Sequence, residues 1–161
     1  MPDKPVLDAC CGGRMFWFDK ADQRAVFMDK RRFVGTCCDG RNVSVEPDVQ
    51  ADFADMPFPD DSFRLVVFDP PHLKCGHNSW TAQKYGRLEG DWRGSIKAGF
   101  EECFRVLEPN GVLIFKWNEY QIPVKEILAL APCAPLFGHR SGKKSLTHWI
   151  AFIKDERMAN A

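Results

Sequence analysis

Four carboxylates stand where short apolar runs stop: Asp8 after "KPVL", Asp29 after "RAVFM", Asp52 after "DVQA" and Asp69 after "RLVVF". One acid at the end of a strand only solvates a turn. Four at consecutive strand ends suggest a polar ligand laid across them. Asp29 follows Asp8 by 21 residues with a glycine turn between, a spacing at which a carboxylate accepts from both hydroxyls of a ribose diol. Asp52, one run further, could accept from the exocyclic amine of an adenine. Asp69 is followed at once by Pro70, Pro71 and His72, so the chain leaves an apolar run and immediately fixes its backbone.

The elements that must position these residues follow from the hydrophobic pattern. Residues 4–10, 24–29, 48–53, 64–69 and 112–117 read as five short strands. Residues 94–111 read as a helix, because Ile96, Phe100, Cys103, Phe104 and Leu107 recur at helical spacing before Pro109-Asn110-Gly111. Residues 124–131 read as a second, short helix, and 134–138 with 146–153 as two strands joined by a basic turn. Strands alternating with helical segments predict an α/β, Rossmann-like, doubly wound sheet. It is mostly parallel, with helices on both faces and an antiparallel pair at one edge. Ligands of such sheets bind beyond the carboxyl ends of the strands. That places Lys116 and Trp117, at the end of the fifth strand, beside the four acids.

The first turn, "DACCGGR", is not G-x-G-x-x-G, which argues against a nicotinamide cofactor. The turn, the spaced acids and the stretch "ADFADMPFPDDSFRLVVFD" (51–69) together resemble the class I S-adenosylmethionine-dependent methyltransferases over roughly residues 5–153. The resemblance implies S-adenosyl-L-methionine as cofactor. It implies that Asp8, Ala9, Cys10 and Gly12 hold the methionine part, Asp29 the ribose, and Asp52 with Phe53 the adenine, with Asp69 close by. Arg14 occupies the place of a second spaced glycine. We expect the turn to be shifted by one residue, with the Arg14 guanidinium reaching the cofactor's carboxylate.

"DPPH" (69–72) resembles the D/N/S-P-P-aromatic motif of the amino-methyltransferases, matching three of its four positions. The resemblance implies that Asp69, Pro70, Pro71 and His72 are catalytic and that the acceptor is an exocyclic amino nitrogen of a nucleic-acid base. Such a nitrogen is a poor nucleophile because its lone pair is delocalised into the ring. The Asp69 carboxylate and the Pro70 carbonyl could take its two hydrogens, while the prolines keep both acceptors in place. His72 stands where the motif carries an aromatic ring, and it can stack or titrate.

Residues 72–92 are long for a connection and read as a lid. Trp80, Tyr85 and Trp92 are interleaved there with Lys74, Lys84, Arg87 and Arg93, which suits stacking on an extruded base and contacting its backbone. The turn "GHRSGKKS" (138–145) mimics a phosphate loop but has one residue too few between its glycines and Lys144 where Ser or Thr should stand. Its Arg140 and Lys143 are read instead as a positive patch for the substrate, provided the preceding strand runs parallel to the sheet. His72, Cys75 and His77 lack a fourth spaced ligand, so no metal is expected.

The 161 residues are 45% apolar and are expected to form one domain, 1–161. Lys+Arg and Asp+Glu are 22 each, which excludes a binder that works by charge alone but allows a local basic patch. No apolar run reaches membrane-spanning length and no signal-peptide pattern opens the chain. Seven cysteines without a C-x-x-C pair read as reduced thiols of a cytoplasmic protein. Two other readings remain open at this level: a methyltransferase for a protein amide or a small molecule, and a cofactor-binding accessory subunit without activity.

Overall fold

The computed structural model describes residues 4–37, 40–76 and 79–155. Its elements are β1 (Val6–Asp8), β2 (Ala25–Asp29), β3 (Phe33–Thr36), β4 (Asn42–Val45), β5 (Val49–Gln50), β6 (Phe63–Phe68), α1 (Trp80–Tyr85), α2 (Trp92–Val106), β7 (Leu107–Asn118), α3 (Val124–Leu128), β8 (Phe137–Arg140) and β9 (Thr147–Ile153). Seven strands form one sheet in the order β5-β2-β1-β6-β7-β9-β8, and β3 with β4 forms a separate hairpin. Strands β5, β2, β1, β6 and β7 pair parallel. Strand β9 runs against β7 and against β8. Strand β8 therefore runs parallel to β7, and the basic turn after it falls at the carboxyl edge. The sheet is the mostly parallel one expected, and its order reverses next to β1, so a crevice opens beyond the ends of β1 and β6.

The core sits on one face. Leu7, Met28, Val66, Phe68, Leu113, Phe115 and Phe152 of the sheet pack against Ile96, Phe100, Cys103 and Phe104 of α2 and Ile127 of α3. Asp91 caps α2, its side chain accepting from Gly94 N. Gly99 sets how closely α2 approaches: a Cβ there would lie 2.7 Å from both Phe53 and Phe68. Helix α2 ends at Val106 and not at Gly111. Leu107, the first residue of β7, is already paired with Phe63, and the register shifts across Pro109 and the left-handed Asn110 (φ 64°) before Val112 pairs with Leu65.

Among the described residues, the other face lacks the helices that a doubly wound pattern predicts between β1 and β2 and between β2 and β5. Residues 9–24, between β1 and β2, make successive turns. Asp19 accepts from Ala21 N and Asp22 from Arg24 N, bonds that compete with a helical ladder. From β2 to β5 the chain runs through the β3–β4 hairpin, which the strand reading did not anticipate; Asp39-Gly40 between two short alternating runs is the cue for it. Cys11, Ala25 and Phe27 pack with Val6 and Trp17 on this second face. Among the described residues no helix is long and apolar enough to cross a membrane, and the described cysteines are free thiols.

Candidate functional site

A cavity of about 640 Å³ lies beyond the carboxyl ends of β1, β2, β5, β6 and β7. Its volume suits a nucleoside-sized ligand with room beside it. Of the residues expected from the sequence, Cys10, Gly12, Asp29, Asp52, Phe53, Asp69, Pro70, Pro71, His72 and Lys116 line it.

Asp29 is nearly buried, and both its oxygens are engaged. Oδ2 accepts from Gly12 N at 2.9 Å; Oδ1 accepts from Arg31 N at 2.9 Å and Arg31 Nε at 3.2 Å. The first turn and the second strand end are thus tied together through one carboxylate. Arg31 was not anticipated; it also lines the cavity, and the charge run "DKRR" is its sequence signal. Burial pushes the Asp52 carboxyl up, but the Ala54 N–H and the Lys30 ammonium outweigh it and hold the group below its ordinary value. Phe53 packs edge to face on Phe68, with centroids 5.3 Å apart. Burial raises the Cys10 thiol well above its usual value, so Cys10 presents a protonated, apolar wall.

At the far end, Asp69 Oδ2 accepts from Lys116 Nζ at 2.6 Å. Burial pushes the Asp69 carboxyl up, and Lys116 and His72 oppose it without cancelling it. Burial pushes His72 down against the pull of Asp69, so its ring is neutral at pH 7. That ring donates a hydrogen bond to the Pro70 carbonyl. The His72 ring meets the edge of Trp117 at 6.1 Å.

Several expected site residues lie elsewhere. Asp8 is fully buried and does not line the cavity. Oδ2 accepts from Trp17 Nε1 at 2.7 Å and Oδ1 from Cys10 N at 3.3 Å. Ala9 is also buried, its N–H given to Val67 O. Arg14 does take positive φ, 54°, but its guanidinium does not reach into the cavity. It donates to Lys20 O, Glu46 O and Asp48 and lies 3.7 Å over the Phe27 ring. The reason is proximity: the β4–β5 connection presents carbonyls and a carboxylate just behind the turn. Trp117 is fully buried, with Nε1 donating to Ile122 O, and is a core wall behind His72, not a substrate contact. Arg140 sits at the carboxyl edge but outside the cavity, donating to Glu119 Oε1 at 2.5 Å. Lys143 is exposed in the turn beyond it. Trp80 opens α1, its side chain outside the described residues, and His77 lies outside them altogether.

The expected irregular loop contains α1, capped by Ser79. The end of α1 and the segment after it, Lys84 to Glu89, line the cavity. Gly86 adopts φ 76°, ψ −177°, a conformation nearly confined to glycine, and an added Cβ would lie 3.0 Å from the Pro71 ring. The base of this lid is held by Gln121. It accepts from Lys74 N at 2.6 Å and donates to Lys74 O at 3.3 Å, as a neighbouring strand would.

No protein-family model and no curated protein matches the sequence. Solved structures do match the fold. A protein from Pyrococcus horikoshii aligns with a TM-score of 0.56 at 16% identity, over 92% of this chain and 80% of its own. A SAM-dependent methyltransferase from Leishmania major aligns with a TM-score of 0.55 at 14% identity, over 91% of this chain and 63% of its own, so this chain spans less than two thirds of that protein's length. A SAM-dependent methyltransferase from Methanosarcina mazei aligns with a TM-score of 0.52 at 11% identity, over 96% of this chain and 94% of its own. The sheet and its order are those of the class I methyltransferase fold; at these identities the likeness concerns the fold, and function rests on the site.

Proposed function

We propose that the protein is an S-adenosylmethionine-dependent methyltransferase acting on an exocyclic amino nitrogen of a nucleic-acid base. The observation that carries this reading is one cavity that joins the Gly12–Asp29 pair to Asp69-Pro70-Pro71-His72. The residues present fit the cofactor. Asp29, steadied by Gly12 N and Arg31, takes the ribose diol; Asp52 and Phe53 take the adenine; the turn from Cys10 to Gly13 takes the methionine part. The bound cofactor supplies an electrophilic methyl group. The chain's own residues prepare the acceptor. Asp69 Oδ1 and the Pro70 carbonyl accept the amine's hydrogens, which drives the nitrogen toward a pyramidal, nucleophilic form. The Asp69 carboxylate then stabilises positive charge on that nitrogen and takes the proton it gives up. Neutral His72 offers a ring edge or face without charge repulsion.

A nucleic-acid acceptor is supported by exposed Lys143 and Lys144 in the turn at the same edge as the cavity. A second reading, a small-molecule or protein-amide acceptor, is favoured by the lid, whose Gly86 lies against Pro71 and narrows the mouth. Methyl-labelled S-adenosylmethionine offered with DNA, RNA, protein and metabolite mixtures tests both readings. Label in a nucleic acid, lost by a hundredfold or more in Asp69→Ala with S-adenosylhomocysteine binding retained, is the expected result. Label in protein or metabolites alone would replace the acceptor class. Wild-type turnover in a folded Asp69→Ala would remove the mechanism.

A further inference from the structure

Lys116 was expected from the sequence to contact substrate. Its surroundings assign it a different task. Strand β7 carries it beside the end of β6, where its ammonium donates to Asp69 Oδ2 at 2.6 Å. Two rings close on the same nitrogen: Phe16 from the first turn, centroid at 5.4 Å, and Trp149 from β9, centroid at 5.5 Å. The rings meet edge to face 5.5 Å apart. Trp149 is also the residue registered opposite Lys116 across the β7–β9 pair, so the strand pairing itself sets its place. An ammonium held by one carboxylate and two aromatic faces is positioned from three sides. A phosphate or other substrate anion would have to displace one of them.

We propose that Lys116 is a positioning residue: it keeps Asp69 ionised inside the cavity and fixes Oδ2, so that Oδ1 faces the acceptor. This rests on the reading that Asp69 accepts the hydrogens of an amine. The groups that face Asp69 make the need for a cation plain. Asp8 approaches from β1, the Cys10 thiol from the first turn, and neutral His72 from the following loop. A buried carboxyl among such neighbours takes up a proton, which leaves a weaker, uncharged acceptor that can neither stabilise positive charge on the amine nor take its proton. Lys116, from β7, is the cation in direct contact with it. The arrangement also gives Phe16 and Trp149 a function that neither the apolar pattern nor the acid spacing indicates.

The test separates this role from substrate binding and from the amine reading. Carboxyl resonances of aspartate-labelled protein are followed against pH, with the Asp69 signal identified by its loss in Asp69→Asn. In Lys116→Met the Asp69 signal is expected to titrate at a pH higher than in the wild type by about one or more, and in Lys116→Arg close to it. If Lys116→Met does not fold, Lys116→Gln carries the same comparison. The acid limb of the kcat profile is expected to move up with the titration, with the acceptor KM changed less than about threefold. Below the new limb the rate should fall about tenfold for each further drop of one in pH. An Asp69 titration that stays in place overturns the proposal. So does a raised KM with the limb unmoved, which would return Lys116 to the substrate. Wild-type turnover in a folded Asp69→Ala would sink the amine reading separately, while the changed titration would still stand by itself.

Discussion

At the residue scale, the contrast between Asp29 and Arg14 makes two opposed expectations. The Asp29 carboxylate lies in the cavity wall and gathers donors from Gly12 and Arg31. Removing it in Asp29→Ala takes away both the diol acceptor and the tie between the first two strand ends. The affinity for S-adenosylhomocysteine, measured by calorimetry, is expected to fall by about 1.5–3 kcal/mol. Arg14 points its donors at Lys20, Glu46 and Asp48. Arg14→Met is therefore expected to leave that affinity within about twofold while lowering stability to denaturant by about 1–3 kcal/mol, since carbonyls of two connections lose a charged donor. A large loss of affinity without loss of stability would return the guanidinium to the cofactor. The acid was legible in the sequence because its place at the end of a strand fixes where it points. The arginine was not, because a long side chain on a turn can reach several partners, and the ones it took were Lys20 of its own connection and residues 46 and 48 of a distant one.

At the scale of elements, the segment after α1 meets the loop after β6 where Gly86 lies against Pro71. Gly86 holds a backbone conformation that side chains oppose, directly over Pro71. Gly86→Ala is expected to destabilise this contact by about 1–3 kcal/mol, the usual strain of such a conformation. Because the contact lies over the cavity and away from the main core, the change should appear as faster amide exchange in residues 79–89 and weaker ligand binding, with little change in the global melting temperature. A global drop with binding intact would show that the lid is only a structural flap. The sequence showed a long aromatic and basic connection, which marked it as a lid. The Ser79 cap of its helix is local, but that Gln121 pairs with the Lys74 backbone depends on a contact 47 residues apart in the chain.

At the scale of the whole molecule, one buried acid couples stability to pH. Burial lifts Asp8 from 3.8 to about 7, with Trp17 and Cys10 opposing and Asp69 and Asp29 adding to the rise. Between these two values the unfolded chain has released the proton and the folded chain still holds it. The contribution of Asp8 is therefore full below about pH 4, declines as pH rises, and is lost above about pH 7. It amounts to a few kcal/mol in order of magnitude. Denaturant unfolding followed from pH 4 to pH 8 should show this decline in the wild type, superimposed on other titrations, and a flatter profile in Asp8→Asn. Equal slopes would place the proton elsewhere. The same geometry crowds the carboxyl ends of β1 and β6, with Asp69 and Asp29 close enough to add to the rise of Asp8.

The sequence by itself determined the seven strands of the main sheet and helices α2 and α3, because apolar periodicity is a local property, and it determined that acids end the strands. It also marked Asp69-Pro70-Pro71-His72 as a rigid segment at such an end. Only the tertiary structure decided which acids face the cavity. Asp8 and Asp29 end neighbouring parallel strands, yet Asp8 is closed off by Trp17, a residue of a connection whose turns no periodicity announced. The same holds for Trp117 and Lys116, adjacent in β7. Alternation of side chains along a strand sends one into the core and the other to Asp69, Phe16 and Trp149. Alternation is legible in a sequence, but which face carries the site depends on what packs against each face. Here helices α2 and α3 took one face, and that choice is made by contacts between distant parts of the chain.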